Sequence, residues 1–511
     1  MKKVLVAIGS AAMAAVLWAA APTANKAESV KFASIKIADV TTVTNAIVRV
    51  AQHCSPGMEG MMFAMPMVQA FLQNDYTREL GPMRLGANVL SLFYATEEAL
   101  TSEETMEEAD VVVLYPTAWT KAKFLAAHTN AVEKNGVIQY SFAGGKTMDA
   151  VFSADGKWVA TSDAPGAALR GIKEIAAAEK SMGGDVVQFE ASHLGGVRFS
   201  PAMPVVNGRV GTSDEAMELL HQIERGMVGI KVTAKGLEIR GAITPKAGTE
   251  IAKVGKIALD GDGKGAALFS KADARAVCAF AAAKNAGGKY GLQGKDAIKI
   301  FKKAFKVAGV DFVSVTYSEK GKNNGYKTYE VDVGKLTKEV YALMQSNAVT
   351  NLFEELDKAA DKEEKKFTAE GPEVRAQSIL KGVKPATTLR QKYAAVMGDV
   401  EKKPIHTAWV GSVYDTIKVS LPLAMEAVGS TNEMVVAMKP MVEMLPAVED
   451  AATAMACWNE GQDLVYTMRF SKGELYGICS AFKMAMMMGQ ANCAAGGAYD
   501  DEDDEDDEDD L

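Results

Sequence analysis

Gly229–Thr244 reads GIKVTAKGLEIRGAIT, with apolar and polar residues alternating on either side of Lys235-Gly236. Alternation of period two about a glycine is the pattern of a half-buried β-hairpin, whose turn uses the positive φ that glycine adopts freely. A matching stretch lies near the other end, Asp463–Phe482, DLVYTMRFSKGELYGICSAF, with its turn expected at Lys472-Gly473. A helical run precedes each hairpin, Thr212–Arg225 and Thr431–Met455, and a further glycine follows each turn, Gly241 and Gly477. A helix-then-hairpin unit used twice implies two tandem similar lobes. The expected class is α+β, each lobe an antiparallel or mixed sheet with hairpins packed by helices.

The openings of the two lobes support the repeat. Lys31–Ile37 reads as a strand and Asp39–Gln52 as a helix; Ala266–Ser270 and Asp273–Lys284 are expected to repeat that pair, with KIAD (Lys36–Asp39) matching SKAD (Ser270–Asp273). Between them, Met58–Gln73 is a helical run interrupted at Pro66, and Val89–Ala95 and Val111–Tyr115 are short apolar runs of buried strands. Thr117–Lys134 reads as a helix ending at Gly136, Ala150–Ser162 as a hairpin about Asp155-Gly156, and Thr212-x-x-Glu215 as a capping box. In the second lobe, strands flank Asn323-Asn324-Gly325, charged helices fill Leu336–Lys366, and His406–Ser412 is a strand.

The ends of the chain are of a different kind. Lys2 and Lys3 precede an apolar, alanine-rich run from Val4 to Ala21, which reads as a signal peptide over residues 1–27. The lobes are then expected at 28–255 and 256–490, followed by a linker and acidic tail at 491–511. No later run is apolar enough to span a bilayer, so the expectation is a periplasmic or secreted protein without a transmembrane segment after cleavage. Asp500–Asp510 is eleven consecutive acids; without them 54 acidic residues stand against 56 basic ones, so the net charge of −9 belongs to the tail. Lys284–Lys338 concentrates twelve lysines against five acids. That pattern suits an anionic envelope ligand, or a face the tail can cover. The absence of arginine there and the sparse aromatics argue against nucleic acid.

Chemical motifs are weak. Gly144-Gly145-Lys146-Thr147 lacks the first P-loop glycine and the following helix. Ser378-x-x-Lys381 and Ser480-x-x-Lys483 have Ser–Lys spacing without companion motifs, and His221 lies between Glu218 and Glu224 at helical spacing. His53, Cys54, Met58, Met61, Met62, Met65 and Met67 make a soft-ligand group of the kind that holds Cu(I), although a chain with 27 methionines also uses them as filler. The same methionines can form an adaptable apolar groove. Of five cysteines, Cys457 and Cys479 are expected to be bridged, one ending a helix and the other on the return strand of the hairpin, with Cys493 left over. No catalytic residue and no cofactor is assigned. The reading is an exported, non-catalytic binding or envelope-associated protein for a small apolar or anionic ligand. Its competitors are a hydrolase assembled from distant residues and a periplasmic metal-handling protein.

Overall fold

The computed structural model describes residues 29–96, 109–192, 222–254, 268–283, 317–345, 374–428, 439–440 and 442–496, with Lys302 and Lys306. β1 (Val30–Ile37) leads into α1 (Val40–Cys54), α2 (Met58–Leu72) and α3 (Asp75–Leu80). Then come β2 (Val89–Ala95), β3 (Asp110–Pro116), α4 (Lys121–Ala127), β4 (Val132–Lys134), β5 (Val137–Phe142), β6 (Lys146–Phe152) and β7 (Trp158–Ser162). α5 (Ala167–Gly171) and α6 (Ile175–Glu179) precede β8 (Val187–Ser192), β9 (Ile223–Thr233), β10 (Gly236–Pro245) and α7 (Glu250–Val254). The remainder forms β11 (Ala276–Ala282), β12 (Tyr317–Asn323), β13 (Tyr326–Val331), α8 (Val333–Gln345) and β14 (Val374–Leu380). Last are α9 (Leu389–Met397), β15 (Ile405–Gly411), α10 (Val413–Val428), β16 (Thr453–Glu460), β17 (Asp463–Ser471) and α11 (Lys472–Gly496).

The class is α+β. All the strands join one mixed sheet, in the order β4-β5-β6-β7-β3-β2-β1-β8-β9-β10-β17-β16-β15-β11-β14-β13-β12. Among the described strands only β13–β14 is parallel. Within this order β2-β1-β8-β9-β10 is an antiparallel run, and β14-β11-β15-β16-β17 is another with the same relative strand order, although other strands are inserted at different connections. The runs meet where β10 lies antiparallel to β17, Gly236 opposite Ser471 and Ile243 opposite Leu464.

Burial explains the outer elements. β2 and β3 are apolar but for Ser91 and Asp110 because both their faces are covered. Val113 and Tyr115 face the cluster containing Val43 and Val50 of α1, whereas Val112 and Leu114 face Ala167 and Ala168 of α5. Asp39 opens α1 as its N-cap, accepting from the Thr41 and Thr42 amides. Lys36 is buried and donates to the Ala177 and Lys180 carbonyls, which closes α6; burial, then the Lys180 charge, lowers its pKa.

Several expectations are corrected. The Asp273–Lys284 helix is strand β11, because Ala279 and Ala281 are needed as a thin floor. With Ala408, Ala454 and Ala456, all at most 1% exposed, they let Leu389, Tyr393 and Met397 of α9 settle on the sheet. KIAD therefore caps a helix while SKAD precedes a strand, and that match has no structural counterpart. Thr117–Lys134 holds only the short α4; Asn135 and Gly136, at φ 53° and 79°, instead turn β4 into β5. The second hairpin is β16–β17, turning at Gly461-Gln462, so Lys472-Gly473 open α11 and are no hairpin turn. Thr453–Met455 belongs to β16 and Ile223–Arg225 to β9, not to helices. The Thr212 capping box, the Asp260–Gly265 link, the leader, most of the lysine stretch and the acidic tail lie outside the described residues.

At the first hairpin the register puts the turn at Ala234-Lys235. Gly236 has φ 143°, and a Cβ there would lie 1.9 Å from the Phe470 carbonyl oxygen. Gly236→Ala should therefore pry β10 from β17 and cost about 2 kcal/mol, read from the urea midpoint. An unchanged midpoint would show that this junction tolerates a side chain.

Candidate binding surfaces

The register aligns one row of side chains across nine strands. It runs Val89–Ile37–Val187–Ile230–Ile239–Met468–Met455–Trp409–Phe280. Because side chains alternate between faces, all nine point the same way. Ile37 and Val89 are buried beneath α1, while Ile230, Ile239, Met468, Met455, Trp409 and Phe280 are only half-buried. The adjacent row on that face is Ala282–Thr407–Cys457–Tyr466–Gly241–Val228–Phe189. Gly241 matters here, since a Cβ would fall 2.1 Å from the Tyr466 ring, which lies over the glycine. The opposite face of β11, β15 and β16 is the sealed alanine floor under α9. Toward the middle it turns polar: Glu238 accepts from Arg469 at 3.1 Å and from Thr467 at 3.2 Å, and Arg469 also holds Asp399. The sheet is thus finished on one face and apolar but incompletely covered on the other.

Burial pushes the pKa of the Cys457 thiol up to about 11 and raises those of the Cys278 thiol and the Tyr466 hydroxyl. Both thiols are free, and both are protonated at neutral pH, which makes them poor nucleophiles. The expected Cys457–Cys479 bridge is overturned. Cys457 sits in β16 opposite Thr407 and Tyr466, whereas Cys479 lies in α11 and bonds Cys54 of α1, their Cα atoms 5.3 Å apart. The cause is the displaced hairpin: once residues from Lys472 onward are helical, Cys479 faces a neighbouring helix instead of β16.

The bridge also takes Cys54 out of the soft-ligand group, and the His53 Nε2 lies 2.9 Å from the Thr233 carbonyl. Met58, Met61, Met62 and Met65 remain together on the outer side of α2, all exposed. Among the described residues no three His, Cys, Asp or Glu side chains gather as a metal site. Met61 Sδ receives a contact from Gln52 Nε2 at 3.6 Å.

The nucleophile candidates are occupied structurally. Ser378 is in β14, where a spacing of three does not bring Lys381 to it; Lys381 pairs with Asp332 at 3.5 Å. Ser480 donates to the Tyr476 carbonyl, and Lys483 binds Ser55 Oγ and Glu59, both at 2.5 Å. Lys146 closes a turn by pairing with Asp163 at 2.7 Å. His221 lies outside the described residues, and Glu224 is in β9. A hollow of about 310 Å³ beside α8 is lined by Lys335, Lys338 and Lys381 with Asp332 and Glu426, a surplus of one positive charge, and Lys381 is already paired with Asp332.

Sequence reasoning missed a buried polar cluster. Glu474 is fully buried and accepts from Ser412 Oγ (2.7 Å), the Val413 amide (2.6 Å) and the Tyr414 amide (3.1 Å). Close by, Lys392 donates to Asp415 and to the Ala451 carbonyl. The donors are the first amides of α10, so the carboxylate acts as that helix's cap. No family model, curated protein or solved structure matches this chain. No helix among the described residues is long and apolar enough to cross a membrane.

Proposed function

We propose that the chain is an extracytoplasmic, non-catalytic binding protein, made of two copies of one α+β unit, that holds an elongated apolar ligand on its central sheet. The observation that carries this reading is the half-buried row Ile230–Ile239–Met468–Met455–Trp409–Phe280. A soluble domain seldom leaves a contiguous apolar strip uncovered without a use for it. Methionine and aromatic side chains adapt to irregular hydrocarbon shapes, and the Tyr466 hydroxyl beside them can receive one polar group of a ligand. The duplication is supported by the common strand order of β2-β1-β8-β9-β10 and β14-β11-β15-β16-β17, which places the two hairpins β9–β10 and β16–β17 side by side at the centre. Export is supported by the leader-like first residues and by the Cys54–Cys479 bridge, which suits an oxidising compartment.

The test uses the full chain recovered after export, titrated with a long-chain fatty acid while Trp409 fluorescence is followed. Saturable quenching at micromolar ligand is expected, weakened at least tenfold by Met455→Lys with Met468→Lys. Unsaturable quenching, or equal affinity in the double variant, would refute the site. Gly241→Val should also weaken binding, because it drives the Tyr466 ring out into the strip.

A further inference from the structure

We propose that the apolar strip holds a single hydrocarbon chain and rejects two-chain lipids, and that Tyr466 is the residue that sets this limit. The inference rests on the strip as a ligand site and on the duplication proposed for this chain.

The registers give the duplication an axis. Arg240 lies six residues beyond Ala234, the first turn residue of β9–β10, and Thr467 lies six beyond Gly461, the first of β16–β17. These two residues also pair with each other where the runs meet. The pair is therefore its own counterpart, and a half turn about the sheet normal at this point exchanges β10 with β17. Followed outward through the strand pairings, the half turn brings Lys31 and Ala33 of β1 onto Ala276 and Cys278 of β11. A register shift falls at both places, between Lys31 and Ala33 against β2 and between Ala276 and Cys278 against β14. Nothing in the central hairpins requires that agreement, so it supports the axis independently.

On the apolar face the half turn exchanges two rows. The first is Ile230–Ile239–Met468–Met455–Trp409–Phe280, and its counterpart is Cys457–Tyr466–Gly241–Val228–Phe189–Ile35. Adjacent rows on one face are two residues apart along each strand, about 6.5–7 Å, and a row crossing six strands is about 24 Å long. Two such tracks side by side suit the paired chains of a diacyl lipid.

The tracks differ at the axis. On the first, Ile239 is paired with Met468, two aliphatic side chains. Their counterparts on the second are Tyr466 and Gly241. A Cβ on Gly241 would lie 2.1 Å from Tyr466 Cε1, 2.2 Å from its Cζ and 2.5 Å from its hydroxyl oxygen. The outer end of the phenol is thus laid across β10, in the space that a chain on the second track would need. The first track is continuous across the axis and the second is cut there. One chain can follow the first track from end to end, but a second chain linked to it meets the ring. The ligand class is accordingly a single-chain amphiphile.

Native mass spectrometry of the full chain with palmitate should show one molecule bound per chain. Tyr466→Ala, which bares Gly241, should bind two. Tyr466→Leu, too short to reach across β10, should also bind two while keeping an apolar strand residue if the alanine variant fails to fold. Tyr466→Phe should stay at one. Dioctanoylphosphatidylcholine, below its micellar concentration, should bind the leucine variant at least about tenfold more tightly than the wild type. Absence of saturable palmitate binding to the wild type would refute the strip, and this inference with it. Two palmitates on the wild type, one on the leucine variant, or equal phosphatidylcholine affinity in both would overturn the role of Tyr466 and leave the strip standing.

Discussion

Glu474→Ala is expected to lower the folding free energy by about 4 kcal/mol, measured by urea unfolding, and to be the most damaging single substitution on the surface of contact between α10 and α11. The carboxylate accepts three hydrogen bonds in full burial. Bonds to a charged acceptor contribute about 1.5–3 kcal/mol each when water cannot replace it, and the sum is reduced by relief of the buried charge. Alanine leaves the Val413 and Tyr414 amides unpaired at the start of a helix of 16 residues, and the Ser412 hydroxyl without an acceptor although it still accepts from the Asp415 amide at 2.9 Å. It also leaves a void beside Gly477, whose closeness to the Tyr414 ring (a Cβ would lie 2.2 Å away) keeps the two helices in contact. Glu474→Gln retains one acceptor oxygen and should cost about half as much. Ser412→Ala removes one donor to Glu474 and the acceptor of the Asp415 amide, and should cost about 1–2 kcal/mol. A loss under about 0.5 kcal/mol for alanine would mean that α10 finds its cap elsewhere.

That cluster shows which parts of the molecule can be read from the chain. β2 and β3 were legible because strands covered on both faces are continuous apolar runs, and no helix is so short and so uniformly apolar. The first hairpin was legible because β9 and β10 have one polar face, carrying Lys231, Glu238 and Arg240, so alternation survives in the sequence. β11 was not, because its alanines follow the thickness of the layer above them and local propensity pointed to helix. Lys472-Gly473 reads as a turn in the sequence, but Ser471 caps a helix there. The Ser471 hydroxyl does accept from the Glu474 amide at 3.0 Å. The Glu474 side chain, however, leaves its own helix to cap α10, some 60 residues back, and no local pattern encodes that. The ligand strip is hidden for the same reason. Each of its residues is an ordinary strand residue, and only pairings between segments as distant as β10 and β17 line them up. On α2 the helical run was legible in the sequence, but which side faces solvent was decided by where Gly60 and Ala64 allow α1 to approach.

Removing the Cys54–Cys479 bridge should produce the other large effect, a loss of about 2–5 kcal/mol in the Cys54→Ala, Cys479→Ala pair. The bridge joins residues 425 apart in sequence, so it restricts the unfolded chain over most of its length. In the folded state it ties α1 of the first strand run to α11, which follows the last strand of the second. Among the described residues the β10–β17 ladder, the Arg240–Glu460 pair and Lys483 reaching Ser55 and Glu59 also join the runs. Without the bridge, unfolding should begin by separation of α11 from α1, and Lys483→Ala should then cost more than it does in the bridged protein, since both act on one contact. Both cysteines are largely shielded, Cys54 at 3% and Cys479 at 8% exposure, so the bridge should resist mild thiol reductants until the chain is partly unfolded. Peptide mapping under non-reducing conditions should recover the Cys54 and Cys479 peptides joined, with Cys278 and Cys457 as free thiols. A Cys457–Cys479 peptide in that map, or an unchanged urea midpoint in the double alanine variant, would show that the two runs are held together by the sheet alone.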